Sequence, residues 1–260
     1  MNVFTTFIYQ PIFNALLFIH KTLPGGDLGL AIIVITALIK LILYSPSLAA
    51  IRASRQLAGL QPQLKELQER YKNDRSRLAE EQMKLYRQSK VNPLSSCLPA
   101  LVQIPILYAL FLVFFKGLQV DSQGLIVGEQ LQLIYSGWRE YYATTPLNAT
   151  FLNFVDLAKN HNLVLSVLAG ATQFWQTKML VAPKEPKVPG AKDEALTSTM
   201  NRQMTYIFPA VTVYIAYTFP AGLALYWTAS TLFTVGQQYL FLRRHPLRPA
   251  PSPPDHEPTA

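Results

Sequence analysis

The stretch Leu28-Gly-Leu-Ala-Ile-Ile-Val-Ile-Thr-Ala-Leu-Ile-Lys40-Leu-Ile-Leu-Tyr44 is apolar on every side, with one lysine near its middle. A helix that is hydrophobic all round lies within protein or lipid rather than on a water-facing surface. The apolar pattern resumes after Tyr44 and continues to Ile51, so Lys40 is the 13th of 24 residues. A cation near mid-membrane carries an insertion penalty of about 2.5 to 3.5 kcal/mol, and a residue kept at that cost marks a functional site.

Working outward, the chain has 260 residues, of which 50% are hydrophobic and 15% charged. Apolar runs long enough to approach the hydrocarbon thickness lie at 28–51, 98–115, 162–181, 203–219 and 221–242. The alternation of a barrel strand is absent. The expected fold is therefore an all-α polytopic membrane protein with five transmembrane helices. Of the 23 Lys and Arg, 17 lie in segments 47–97, 182–202 and 243–260, and only three in 1–27 and 119–160. The positive-inside bias places the first group in the cytoplasm, with the N-terminus outside and the C-terminus inside. The net charge of +8 is largely this topology, and the same charges permit contact with anionic lipid or ribosomal RNA.

A single cysteine, Cys97, excludes an intramolecular disulfide and a cysteine-based metal site, and the four histidines have no ligand spacing. There is no Gly-rich phosphate loop and no nucleophile elbow. No cofactor, metal or catalytic residue is expected, and the protein does not read as an enzyme.

Between the spans, residues 1–27 lack a basic n-region and read as an external interfacial helix, with Phe4, Ile8, Ile12, Leu16 and Ile19 at helical spacing. A sixth span over 2–23 is the alternative. Residues 52–97 form a cytosolic helical hairpin: Leu57, Leu60, Leu64, Leu67 and Tyr71 repeat at 3-4-3-4, Asn73-Asp74 turns the chain, and Leu78, Leu85 and Tyr86 lie on the return helix. The pairs Lys65/Glu69, Glu66/Arg70 and Glu80/Lys84 add i,i+4 charge attraction. Leu64, Leu67, Tyr71 and Tyr86 are candidates for docking a substrate or partner, with a self-packed spacer as the plainer reading. Segment 116–161 is external, 182–202 is a cytosolic loop, and 243–260 is a basic, Pro-rich, disordered cytosolic tail.

Every span carries polar residues. Thr36 lies one turn before Lys40; Gln103, Thr172, Gln173, Gln176, Thr212, Trp227, Ser230 and Thr231 follow in later spans. Singly these are helix glue. Together with Lys40 they predict a shared hydrophilic groove, because an ammonium without an in-span carboxylate recruits water. The alternative for Lys40 is snorkelling toward the cytoplasmic headgroups.

Three sets of residues resemble a known family. Met83-Lys-Leu-Tyr86-Arg, then Asn92-Pro93-Leu-Ser-Ser-Cys97-Leu-Pro99-Ala-Leu-Val-Gln103-Ile-Pro105-Ile, and Phe219-Pro220-Ala-Gly222-Leu-Ala-Leu-Tyr226-Trp227 with Gln237-Gln238, are similar to the signatures of YidC-type membrane protein insertases, relatives of the mitochondrial and chloroplast insertases. The resemblance covers about residues 28–242 and implies five helices around a groove open to cytoplasm and lipid, closed outside. The family's intramembrane cation, usually arginine, aligns with Lys40, and Ser96 and Thr231 stand where Gly and Asn are common. Without the large external domain of many members, the chain resembles the short form. The implied activity is insertion of small membrane proteins, alone or beside the general secretion channel. The implied partners are nascent membrane proteins, that channel, membrane lipids and, weakly, the ribosome, with no specific nucleic-acid sequence. A small transporter or channel using Lys40, and an intramembrane hydrolase pairing Lys40 with Ser45 or Ser47, are the other classes open to these residues.

Overall fold

The computed structural model describes residues 3–92, 98–180 and 203–244. Cys97, Ser96, the loop 182–202 and the tail from 245 lie outside the described residues. A π-helical turn, Thr5–Tyr9, runs into α1 (Gln10–Thr22), with Pro11 in the first turn of α1. After the turn at Pro24-Gly25-Gly26, Asp27 opens α2 (Leu28–Ile42) by accepting the Leu30 N–H at 2.9 Å.

The expected straight span 28–51 is broken. α2 ends at Ile42, and α3 (Tyr44–Gly59) leaves Leu43 at an angle of 69°. The cause is local. Pro46 has no N–H for the Ile42 carbonyl and its ring clashes with that carbonyl in a continuous helix, so the chain turns at Leu43 and restarts with Pro46 in its first turn. Residues 44–51 thus belong to α3 and not to the first apolar helix. A second proline, Pro62, likewise interrupts the expected seam: α3 stops at Gly59, and α4 (Gln61–Arg70) begins after Leu60. Asp74 then caps α5 (Arg75–Gln88) through the Arg77 N–H at 3.0 Å. Leu60, Leu64 and Val91 form the small core of this hairpin, with Leu57, Leu85 and Tyr86 packed on it. Lys84 pairs with Glu81 at 3.5 Å, one residue nearer in the chain than the expected Glu80.

α6 (Leu98–Leu112) ends in a π-helical turn, Val113–Gly117. Then come the short helices α7 (Glu129–Leu133) and α8 (Ser136–Thr144) and an antiparallel ribbon of β1 (Thr150–Phe151) and β2 (Val155–Asp156). α9 (Leu163–Leu180), a π-helical turn Gln203–Ile207 leading into α10 (Phe208–Thr218), and α11 (Ala221–Arg244) complete the bundle. Phe219 is extended, as a residue before proline must be, and Pro220 separates α10 from α11. Among the described residues no single helix is both long and apolar enough to cross a membrane; α2 and α3 reach that limit only as a bent pair.

The main core gathers one half of the bundle: Leu28 to Ile35 of α2, Leu110 to Phe114 of α6 and its turn, Leu165 and Ala169 of α9, and Ala221 to Tyr226 of α11. Phe13, Leu16 and Leu17 of α1 and Ile126, Ile134, Tyr142 and Leu157 of the 119–160 segment close the same core. Close backbone approach makes this possible. A side chain at Gly170 would collide with Val213 across the α9–α10 contact, and one at Gly222 would press on the Phe114 ring.

Candidate functional site in the polar half of the bundle

The opposite half of the same helices carries the polar residues. Lys40, in the last turn of α2, reaches α11 and donates from Nζ to Thr234 Oγ1 at 3.1 Å. Thr234 Oγ1 in turn donates to the Ser230 carbonyl at 3.0 Å, so the lysine is held by a neutral hydroxyl and, among the described residues, has no carboxylate within 4.0 Å. It remains half-buried. Four residues of α11 at four-residue steps, Tyr226, Ser230, Thr234 and Gln238, run along one ridge of the helix. Gln103 on α6 donates to the Tyr226 hydroxyl, and Trp227 donates from Nε1 to Gln173 Oε1 on α9 at 3.4 Å. At the α2–α3 elbow, Ser47 donates to Gln237 Oε1 at 2.9 Å.

The expected site residues divide into two groups. Lys40, Gln103, Gln173, Gln176 and Trp227 are half-buried, and all but Gln176 bond a residue of another helix. Thr36, Thr172, Thr212, Ser230 and Thr231 are enclosed. Thr36, Thr172 and Thr212 satisfy their hydroxyls on their own helices, donating to the Ile32, Leu168 and Phe208 carbonyls. They make the helices compatible with an apolar contact and do not themselves present a free polar group. Of the hairpin candidates, Leu64 is buried in the hairpin's own core and Tyr86 packs against it, while Leu67 and Tyr71 are half-buried and Tyr71 carries the Arg77 guanidinium 5.7 Å from its ring. Ser47 is turned to Gln237, and Lys40 to Thr234, so no Ser/Lys pair forms.

Thr234 is among the polar residues of the last apolar run in the sequence, but it was not singled out for the groove, and the structure makes it the direct partner of Lys40; its position one turn beyond Ser230 was the available signal. Sequence reasoning also gave no role to the polar residues that close the other half. Asn14 donates to the Gln10 and Leu133 carbonyls and accepts the Tyr135 N–H at 2.7 Å, and Asp27 accepts the Leu152 N–H at 2.6 Å as well as capping α2. The Tyr142 hydroxyl donates to the Leu17 carbonyl at 2.7 Å, so its oxygen is left to accept from His20 Nδ1 at 2.8 Å. Burial lowers the His20 pKa and pushes the Tyr142 hydroxyl up.

A bundle with an apolar core at one end and a cation-bearing polar half at the other can be compared with known proteins. Residues 18–248 match the model of the 60Kd inner membrane protein family. The chain belongs to that family. Its members include "Membrane protein insertase YidC" of Francisella tularensis subsp. novicida (strain U112) and of subsp. tularensis (strain WY96-3418), each 33% identical over 242 residues, 92% of this chain. The YidC-type resemblance read from the motifs is therefore shown. The chain spans 36% of the length of these relatives. In three dimensions it resembles the "Active YidC insertase crystal structure with the first transmembrane domain resolved", with a TM-score of 0.57 and 23% sequence identity over 92% of this chain and 47% of that one. That likeness is one of fold, and the family match takes in every element from the end of α1 to the last turn of α11.

Proposed function

We propose that this protein inserts small membrane proteins into the bacterial inner membrane, with the polar half of the bundle as a hydrated groove for the substrate's polar tail. One observation carries the reading: Lys40 extends from an otherwise apolar helix to a neutral hydroxyl, and among the described residues no carboxylate within 4.0 Å neutralises its charge in this family-typical bundle. The buried core at the other end supports a groove closed on the outside. The positive-inside bias supports an orientation with α3 to α5 and the α11 C-terminus in the cytosol and the N-terminus outside.

The mechanism is differential solvation. A short polar or acidic tail enters the groove beside Lys40, exchanging bulk water for the ammonium and the Gln103, Gln173 and Gln176 amides. The apolar segment slides into lipid, gaining about 0.3 to 0.6 kcal/mol per central Leu, Ile, Phe or Val. α2 has 15 residues, about 22 Å of helix against an apolar layer of about 30 Å, so the bilayer beside it is thinned and the transfer distance shortened. Nascent membrane proteins are the partners, with the secretion channel and ribosome as hosts of the same step.

Reconstituted into proteoliposomes, the wild-type chain and Lys40→Arg insert a single-span substrate with an acidic tail, whereas Lys40→Leu and Lys40→Glu lose most of that insertion. Equal insertion by all four proteins overturns the role of the charge. Solute flux without insertion favours the transporter or channel reading.

A further inference from the structure

At the cytosolic end, in the orientation proposed above, the α2–α3 side and α11 meet, and each carries the same order of side chains along the chain. On the α2–α3 side Leu41, Ile42 and Tyr44 are exposed, at 67%, 79% and 48%, and Arg52 and Arg55 follow. On α11, Tyr239 and Leu240 are exposed, and Arg243 and Arg244 follow in the last turn. The two sides are joined by the Ser47–Gln237 hydrogen bond and by Arg52, whose guanidinium carbon lies 6.0 Å from the Phe241 ring centre. Arg55 is one turn beyond Arg52 on α3 and Arg244 one turn beyond Phe241 on α11, so both follow the Arg52–Phe241 contact along their helices.

None of these arginines meets a carboxylate within 4.0 Å among the described residues. The Arg55 Nε is buried with no hydrogen-bond partner, so packing rather than a protein anion holds that side chain in place. An apolar band, a tyrosine at its edge and guanidinium groups below it match a phospholipid in order: acyl chain, glycerol level, phosphate.

We infer that the α3–α11 junction binds an anionic phospholipid of the cytoplasmic leaflet, its phosphate on Arg52, Arg55 and Arg244 and its acyl chains along Leu41, Ile42 and Leu240. Guanidinium forks match phosphate oxygens two at a time, and the cytoplasmic leaflet supplies the anionic headgroups. An RNA phosphate satisfies the charge and leaves the exposed apolar band against water, which is why lipid is the better occupant. The basic hairpin tip, Lys72 and Arg75, has the same sign of charge with no such band beside it and serves as the internal comparison.

The inference rests on the proposed orientation but is read by binding and not by insertion. The purified full chain in neutral detergent is titrated with fluorescent phosphatidylglycerol, with phosphatidylcholine, inorganic phosphate and an RNA oligonucleotide as competitors. Phosphatidylglycerol binds and only unlabelled phosphatidylglycerol displaces it at comparable concentration. Arg52→Gln with Arg55→Gln weakens binding by roughly fivefold for each guanidinium removed, and Arg52→Lys with Arg55→Lys, which keeps the charge and guards against misfolding, weakens it less. Lys72→Gln with Arg75→Gln leaves it unchanged. Equal losses in the two Gln pairs, equal displacement by phosphatidylcholine, or displacement by phosphate or RNA at the lipid's own concentration each overturn the site. A wild-type chain that binds lipid but fails to insert substrate would count against the proposed function alone.

Discussion

The two halves of the bundle use the same helices for opposite purposes. Where α2, α6, α9 and α11 meet α1 and the 119–160 segment, side chains are enclosed and the polar ones pair across the chain: Asn14 with Leu133 and Tyr135, Tyr142 with Leu17 and His20, Asp27 with Leu152. In the other half Lys40, Gln103, Gln173, Gln176 and Trp227 are half-buried, though Tyr226 and Gln238 are enclosed, and among the described residues the interhelical side-chain bonds are few: Lys40 to Thr234, Gln103 to Tyr226, Trp227 to Gln173 and Ser47 to Gln237. The difference teaches that stability and function are separated along the helix axis, because most polar groups shut into the closed half are satisfied by the fold itself, His20 Nε2 and Trp138 Nε1 excepted, whereas a group left half-buried stays available to a ligand or water.

The sharpest way to break this comparison is Tyr142→Ala. Tyr142 is fully buried, and its removal creates a large cavity and strands the Leu17 carbonyl and His20 Nδ1. A loss of about 3 to 5 kcal/mol is expected, seen as a large drop in melting temperature of the detergent-solubilised protein. Trp227→Ala, half-buried in the polar half, is expected to lower it far less. Asn14→Leu comes next. It leaves the Tyr135 N–H without its partner in a closed contact, while the Leu133 carbonyl keeps the Gln10 amide, for about 1 to 3 kcal/mol, with faster hydrogen exchange over 10–22 and 133–142. Exchange that stays slow would mean that α1 docks by apolar burial alone.

Acidification probes the same half with a defined sign. His20 is held neutral by burial, with a folded pKa below the ordinary 6.5, so the unfolded chain binds the extra proton first. The stabilisation is complete above pH 6.5 and is lost as pH falls through the depressed value. Melting at pH 5 against pH 7.5 is expected to fall more for the wild type than for His20→Gln, and equal falls would remove His20 from the account. The smallest effect is expected for Thr234→Val, which removes the hydroxyl under Lys40 at a stability change of no more than about 1 kcal/mol. A larger loss would show that the polar half also holds the fold.

The helical character and the family resemblance were legible because they rest on runs of apolar residues and on motifs contiguous in the chain, such as Phe219 to Trp227. The turn at Asn73-Asp74 was legible for a similar reason, since a cap needs only one short side chain at the helix start. The breaks at Leu43 and Leu60 were signalled by Pro46 and Pro62, but an apolar window that averages over about twenty residues hides a single missing N–H. Asn14, which interrupts an apolar run in the sequence, turned out to be a central docking residue of α1.

By itself the sequence determined composition, helix content, the lysine within an apolar run and the charge asymmetry between segments, all properties that add up along the chain. Tertiary structure alone decided which polar residues are shut in and which remain reachable, that Lys40 meets Thr234 from 194 residues away, and that α3 turns to bring Arg52 onto Phe241. Those facts depend on how helices cross and which faces they share. Crossing is set by close contacts such as Gly170 against Val213, between residues that the sequence lists far apart and only the folded chain brings together.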